Sequence, residues 1–236
     1  MVAPVYFVGT PDILLLMKKL IEEYNNLLSD KYDTATQGEF KWLAPVKLYE
    51  YIRPYIKNGA EVLDVGVGTG QTSKIFINKG LSVIGVDISE KMLAVAQSKL
   101  NFTKLIKYDV EQGLLNIFPQ DKFDIVVAVG VLEFIKDIKK TLSEMRQLLK
   151  NGGIIAFTYE IYEPNNKYGI EKIAPLGAGS ENVPELLNFM VYRRLPNEVD
   201  KILRDLSLGI INREKFIGYL RSQLKFPVLY EILVVS

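Results

Sequence analysis

Between residues 60 and 160 the chain switches repeatedly between short apolar runs and helical spacing, and few folds accommodate that alternation. AEVLDV (60–65), SVIGVD (82–87), TKLIKYD (103–109), FDIVVAV (123–129) and GIIAFTYE (153–160) read as buried strands. Helical patterns lie between most of them. One follows Gly70 and stops at Lys79-Gly80, and one runs from a Ser89 cap through Leu100 with Met92, Leu93 and Ala96 on one face. Another covers Lys136–Lys150 and ends at Asn151-Gly152-Gly153, while the segment after the third strand is short and weakly patterned. Strands alternating with helices imply right-handed crossovers and a doubly wound, parallel sheet. FDIVVAV is almost wholly apolar, which places it centrally, covered on both faces.

The flanks extend this plan. Apolar residues from Pro11 to about Asp30 recur at helical spacing, and a second helix is expected from Glu39 to Ile56, stopped by Asn58-Gly59. Residues 161–195, rich in proline and glycine, read as an insertion with one short helix after Pro184. Asn197 can cap a helix through Leu206, and 210–220 and 228–235 read as an antiparallel edge pair of strands. The expected α/β architecture is one domain over 1–236: a seven-stranded, mostly parallel sheet with an antiparallel edge strand, an N-terminal helical lid (1–57) and an insertion or lid (161–195).

Composition removes several chemistries. The chain has neither cysteine nor histidine, so disulfides, thiolate nucleophiles and zinc-thiolate sites are excluded. Any general base must be a carboxylate, a tyrosine or a lysine. The net charge is +1 and the lysines are scattered, so nucleic acid is not an expected partner. The N-terminus makes a poor secretory signal, and the run Ile13 to Met17 is too short to span a bilayer. A soluble, cytoplasmic protein with no membrane partner is expected; the oligomeric state is left open.

VLDVGVGTG (62–70) carries the strongest local signal. Gly66, Gly68 and Gly70 follow the first strand with no side chain to block a ligand, and they lead into a helix N-terminus. A bare strand-to-helix turn would look the same. Asp87, however, ends the second strand, where an acid can accept from both ribose hydroxyls. Asp109 ends the third, where a carboxylate can accept from an adenine amine; the competing role is a cap for the segment from Glu111. Ile88, Met92 and Val110 can wall the base. Three strand ends in this order suit one nucleoside. The dinucleotide fingerprint G-x-G-x-x-G would put its third glycine at 71, where Gln71 stands, and Asp64 precedes the first glycine by two. Both departures point away from NAD.

With these motifs the chain resembles a class I S-adenosylmethionine-dependent methyltransferase of the small-molecule branch. DVGVGTG (64–70), VIGVDISEKMLAVAQSK (83–99), YDVEQ (108–112), FDIVVAVGVLEFIKD (123–137) and LLKNGGIIAFTYE (148–160) are similar to the family's successive motifs. KYDTATQGEFKWLAP (31–45) is similar to that branch's lead-in, and RLPNEVDKILRDLSLGIINREKFIGYL to its C-terminal ending. The resemblance implies that Gly66, Gly68 and Gly70, with Val67 among them, pass under the methionine and ribose of S-adenosyl-L-methionine. Asp64 would orient the loop or meet the ammonium group. Asp87 would hold the ribose, Asp109 the adenine amine and the Val110 amide a ring nitrogen. The backbone at Val129 and Gly130 would face the methionine, and Tyr32 and Trp42 would close over the cofactor, with ordinary helix packing as the competing account.

Methyl transfer is an in-line displacement that needs a base only if the nucleophile must lose a proton. No catalytic residue is assigned, and no metal site is expected. Glu133, Tyr159, Glu160, Tyr192 and Arg193 are candidates near a small-molecule methyl acceptor. For Glu133 a solvated carboxylate at a helix start is the favoured reading, and for Arg193 a surface arginine. The competing functions are an NAD-dependent oxidoreductase and a non-catalytic S-adenosylmethionine-binding protein.

Overall fold

A computed structural model describes residues 11–37, 42–120, 122–166, 171–175, 190–221 and 226–236. Three helices, α1 (Pro11–Leu28), α2 (Tyr32–Gln37) and α3 (Ala44–Ile52), precede strand β1 (Glu61–Val65). Then follow α4 (Gln71–Ile77), β2 (Ser82–Asp87), α5 (Glu90–Lys99), β3 (Lys104–Lys107), β4 (Phe123–Ala128), α6 (Ile138–Gln147) and β5 (Leu149–Glu160). The C-terminal part holds β6 (Ile173–Pro175), β7 (Met190–Tyr192), α7 (Pro196–Asp205), β8 (Ile210–Arg221) and β9 (Phe226–Val235).

Seven strands form one sheet in the order β3-β2-β1-β4-β5-β9-β8. From β1 the sheet grows one way through β2 and β3 and the other way through β4 and β5, all parallel. The strand order therefore reverses between β1 and β4, where a cleft opens at the carboxyl ends. β9 runs antiparallel to both β5 and β8, so the antiparallel strand lies one place in from the edge, which β8 forms.

The alternation of side chains decides how the helices pack. Leu63, Val65, Val126 and Phe157 face Leu142 and Met145 of α6 and Val199 and Leu203 of α7. Val62, Val83, Ile125 and Ala156 face Leu48 and Ile52 of α3 and Phe76 of α4. Each such apolar side chain stabilises the fold by about 1.5–3 kcal/mol when fully buried. β4 is covered on both faces, as its almost wholly apolar run predicts. No helix among the described residues is long and apolar enough to cross a membrane.

Some elements differ from their sequence reading. The helix expected from Glu39 starts at Ala44, because Pro45 has no amide to give and its ring clashes with the carbonyl four residues back; residues 38–41 lie outside the described residues. It ends at Ile52 and tightens into a 3₁₀ turn at Arg53–Tyr55. α2 was not anticipated. α7 starts at Pro196 rather than after an Asn197 cap, and the Glu198 carboxylate accepts the Leu195 amide at 3.0 Å. β5 begins at Leu149, so Asn151-Gly152-Gly153 bends the strand rather than preceding it, with Gly152 at φ +76° and a register shift against β4. Within the expected insertion, β6 and β7 pair antiparallel, and the helix expected after Pro184 falls outside the described residues.

Candidate active-site cleft

The glycine loop forms the cleft floor. Its three glycines all have positive φ (73°, 52° and 86°) but for different reasons. A Cβ on Gly66 would lie 2.5 Å from Val131 Cγ2, so that residue lets the loop after β4 approach. A Cβ on Gly68 would meet nothing within 4 Å, since it stands over the open cleft. Gly70 does not line the cleft. It packs toward Leu100 and Phe102 and starts α4 from the left-handed region. The Gly66 and Val67 amides both donate to Val86 O (2.8 and 3.0 Å), fastening the loop to β2.

Asp64 lies beneath this floor, buried and outside the cleft lining, where its carboxylate accepts from Ser73 Oγ at 2.6 Å. It ties β1 to α4. Burial pushes its pKa up to about 7, with the Asp87 charge adding and the Ser73 hydrogen bonds opposing.

Asp87 lines the cleft. Its two oxygens accept the Gly68 and Ser89 amides, both at 2.8 Å, and burial raises its pKa against those bonds. Asp109 also lines it, with one oxygen accepting the Glu111 amide at 3.0 Å and the other 2.5 Å from Lys18 Nζ. The cap role and the cleft position therefore coexist. Ile88, Met92, Tyr108 and Val110 supply apolar wall between the two carboxylates.

The N-terminal helices cover the opening. Tyr32 lines the cleft, and its neighbour Asp33 accepts from Thr69 Oγ1 (2.5 Å) and Gln71 Nε2 (3.0 Å) while pairing with Lys99. Gln71 also donates to Thr36 Oγ1 at 2.6 Å. The residue standing where a dinucleotide glycine would be thus fastens α2 to the loop. Trp42 both packs and covers: it meets Tyr230 edge-on at 5.0 Å and lines the cleft, its ring lying 3.4 Å from where a Cβ on Gly130 would be.

At the far end, Val129 and Gly130 line the cleft, and the Gly130 amide donates to Thr158 Oγ1 at 2.9 Å. Glu133 is not solvated. It is 4% exposed, in a 3₁₀ turn after β4, and accepts from the Tyr230 hydroxyl at 2.8 Å. Burial pushes its pKa up to about 7, with the Glu160 charge adding and the Tyr230 bond and Arg194 opposing. A β9 tyrosine nearly a hundred residues downstream creates this burial, and no local pattern announces it.

Two further candidates change place. The Tyr159 hydroxyl donates to the buried Glu231, which also accepts from the exposed Arg213, and Tyr159 packs in the core against α6 and α7. Strand alternation turns the buried Thr158 toward the Gly130 amide and Tyr159 to the opposite face. Arg193 is not a surface residue. It is 3% exposed, lies 3.4 Å from Glu160 with its Nε, and donates from Nη1 to Glu171 O at 3.0 Å. Glu160, itself buried, also accepts from the Tyr219 hydroxyl at 3.2 Å. Tyr192 lines a separate shallow depression with Lys136, Lys172 and Arg194.

Sequence reasoning missed Lys18, Asp33, Thr69, Gln71 and Asn26, whose Oδ1 accepts from Ser89 Oγ at 2.7 Å; their contacts join the N-terminal helices to the loop and strand ends. It also missed Arg194, which donates to Leu132 O, Ile135 O and Tyr192 O and braces the segment after β4. Among the described residues no group of three or more acidic side chains could hold a metal ion.

Residues 63–157 match the family model described as a methyltransferase domain. Demethylmenaquinone methyltransferase of Tropheryma whipplei (strain Twist) is 36% identical over 95 residues, 40% of this chain and 39% of that protein. Ubiquinone biosynthesis O-methyltransferase of Coxiella burnetii (strain Dugway 5J108-111) is 31% identical over 154 residues, 63% of this chain and 64% of that protein. The chain thus spans less than two thirds of the length of these curated relatives. The crystal structure of magnesium protoporphyrin IX methyltransferase from Synechocystis PCC 6803 with bound S-adenosylhomocysteine superposes with a TM-score of 0.62 at 18% identity, covering 93% of this chain and 98% of that one. The chain has the fold of S-adenosylmethionine-dependent methyltransferases, and its residues 63–157 are similar to a methyltransferase domain.

Proposed function

We propose that the protein transfers the methyl group of S-adenosyl-L-methionine to a small-molecule acceptor by in-line displacement. One observation carries this reading: the ends of three neighbouring strands present the open backbone at Gly68, then the Asp87 carboxylate, then the Asp109 carboxylate, in one cleft.

Bound S-adenosyl-L-methionine supplies a sulfonium methyl group. The chain binds it, orients it and keeps water away. In this reading Gly66, Val67 and Gly68 support the methionine and ribose, Asp87 holds the ribose hydroxyls, and Asp109 with the Val110 amide holds the adenine between Ile88 and Met92. Val129 and Gly130 face the methionine. The helices α1, α2 and α3 act as a lid, and Tyr32 and Trp42 shield the reacting atoms. Water exclusion strengthens each polar contact inside. The acceptor enters beside Gly130, near Glu133 and Glu160. A near-neutral net charge supports a small acceptor rather than nucleic acid, in a cytoplasmic setting.

Incubation with methyl-labelled S-adenosylmethionine and a panel of small amines, phenols and acids tests this. Label in a small product is expected. Binding without label transfer to any acceptor would favour a non-catalytic S-adenosylmethionine-binding protein.

A further inference from the structure

Behind Gly130 lies a buried cluster that the cofactor reading leaves unused. It holds two carboxylates, Glu133 and Glu160, which are 4% and 1% exposed. Arg193 pairs with Glu160 at 3.4 Å. Arg194 approaches too, but its guanidinium donates to the carbonyls of Leu132, Ile135, Lys136 and Tyr192. Glu133 makes no ion pair among the described residues. Its Oε1 accepts from Tyr230, and its Oε2 is buried with no hydrogen-bond partner.

An unpaired buried carboxylate is costly, and it either takes a proton or receives a cation. The surroundings favour a cation. Trp42, Phe216, Tyr219 and Tyr230 form a connected set of rings, with Trp42 5.0 Å and Tyr219 6.2 Å from Tyr230. Such rings attract an ammonium group through their faces. The cluster also communicates with the cleft. Gly130 lines the cleft, and a Cβ on it would stand 4.0 Å from Glu133 Oε1 and 3.4 Å from the Trp42 ring. The absent side chain leaves that approach open. The Tyr32 hydroxyl, which lines the cleft, has its pKa raised by burial first and then by the Glu133 charge, so the charge is felt there.

We propose that the methyl acceptor carries a protonated amine, received beside Gly130 by Glu133 and the Trp42–Tyr230 ring cluster. The inference rests on the methyl-transfer reading above. Glu133 takes one proton from the ammonium group. The nitrogen lone pair so released forms the new N–C bond as the donor's C–S bond breaks, and the bonding pair stays on sulfur. The product is again an ammonium ion, and Glu133 leaves the step protonated. An anionic acceptor would meet the Glu133 carboxylate, the one member of the pair with no ion-pair partner among the described residues, and be disfavoured.

Trp42 is the only tryptophan in the chain, so its emission reports on this cluster directly. Protein saturated with S-adenosylhomocysteine is titrated at constant ionic strength with trimethylammonium, tert-butanol and pivalate, three probes of similar size and different charge. Trimethylammonium should change the emission saturably and bind at least about tenfold tighter than the other two. Glu133→Gln should abolish that preference while S-adenosylhomocysteine affinity by calorimetry stays within about threefold. Equal or tighter binding of pivalate or tert-butanol, or an unchanged trimethylammonium response in Glu133→Gln, would overturn the proposal. The three-probe comparison needs no variant, so it decides even if Glu133→Gln fails to fold. Wild-type protein that binds no S-adenosylhomocysteine would strike the methyl-transfer reading itself. Wild-type protein that binds it but shows no ammonium preference overturns only the amine inference.

Discussion

The Gly68 amide donates to Asp87 Oδ2 across 2.8 Å, so the loop after β1 and the end of β2 form one unit. The second Asp87 oxygen accepts the Ser89 amide, and Ser89 in turn caps α5 through the Met92 amide at 3.1 Å. One carboxylate thus sets the shape of the cleft floor and also faces the space above it. A ligand that hydrogen-bonds Asp87 meets a group already fixed by the fold.

The glycines divide into packing and access roles. Gly66→Ala would drive a Cβ into Val131 and should destabilise the fold by about 2–4 kcal/mol, from overpacking and positive φ together. Gly68→Ala meets no atom within 4 Å and should cost about 1–2 kcal/mol, yet its methyl group would intrude on the cleft. Thermal denaturation should rank Gly66→Ala as the less stable variant. Calorimetry should show Gly68→Ala losing at least about tenfold in S-adenosylhomocysteine affinity.

Stability should fall as pH rises from about 5 to 7.5. Asp64 and Glu133 are held up to about 7 in the fold by burial, against about 4 for free carboxylates, and Asp87 is shifted the same way. In that window the native state keeps protons that the unfolded chain releases, so each group's contribution is lost as pH climbs toward its folded value. The chain has no histidine to titrate there. Urea unfolding at pH 5 and pH 7.5 should differ by about 2 kcal/mol or more, and Glu133→Gln should flatten the slope.

Asp33 fastens α2 to the loop through Thr69, Gln71 and Lys99. Asp33→Ala should leave the sheet folded while loosening the cover, and S-adenosylhomocysteine should dissociate about tenfold faster in stopped-flow measurements. An unchanged dissociation rate would mean that this cover does not retain the ligand.

Tyr159 belongs to the core with the buried Glu231, which also accepts from Arg213, away from the cleft. Tyr159→Phe should lower unfolding free energy by about 1–2 kcal/mol through the lost hydrogen bond. Cofactor affinity, read by calorimetry, should stay at the wild-type value.

Most of the sheet was legible because its determinants are local. Runs such as FDIVVAV carry their own burial pattern, and stop signals at Lys79-Gly80 and the Ser89 cap sit beside the elements they bound. The order of Asp87 and Asp109 along the cleft was legible too, because parallel strands present their carboxyl ends on one side. The environment of each side chain was not. Glu133 looked solvated because nothing near it in sequence says that Tyr230 will cover it, and Arg193 looked exposed because its partner Glu160 lies on another element. Tyr159 was misplaced by a single step of strand alternation. The contacts of Asp33 and Gln71 depend on how α2 docks, which no periodicity encodes.

Isothermal calorimetry with S-adenosylhomocysteine and with NADH tests the central claim most directly. The wild-type protein should bind S-adenosylhomocysteine and not NADH, and Asp87→Ala should weaken binding by at least about a hundredfold while the protein stays folded. Tight NADH binding without S-adenosylhomocysteine binding would contradict the account, as would an Asp87→Ala variant with wild-type affinity.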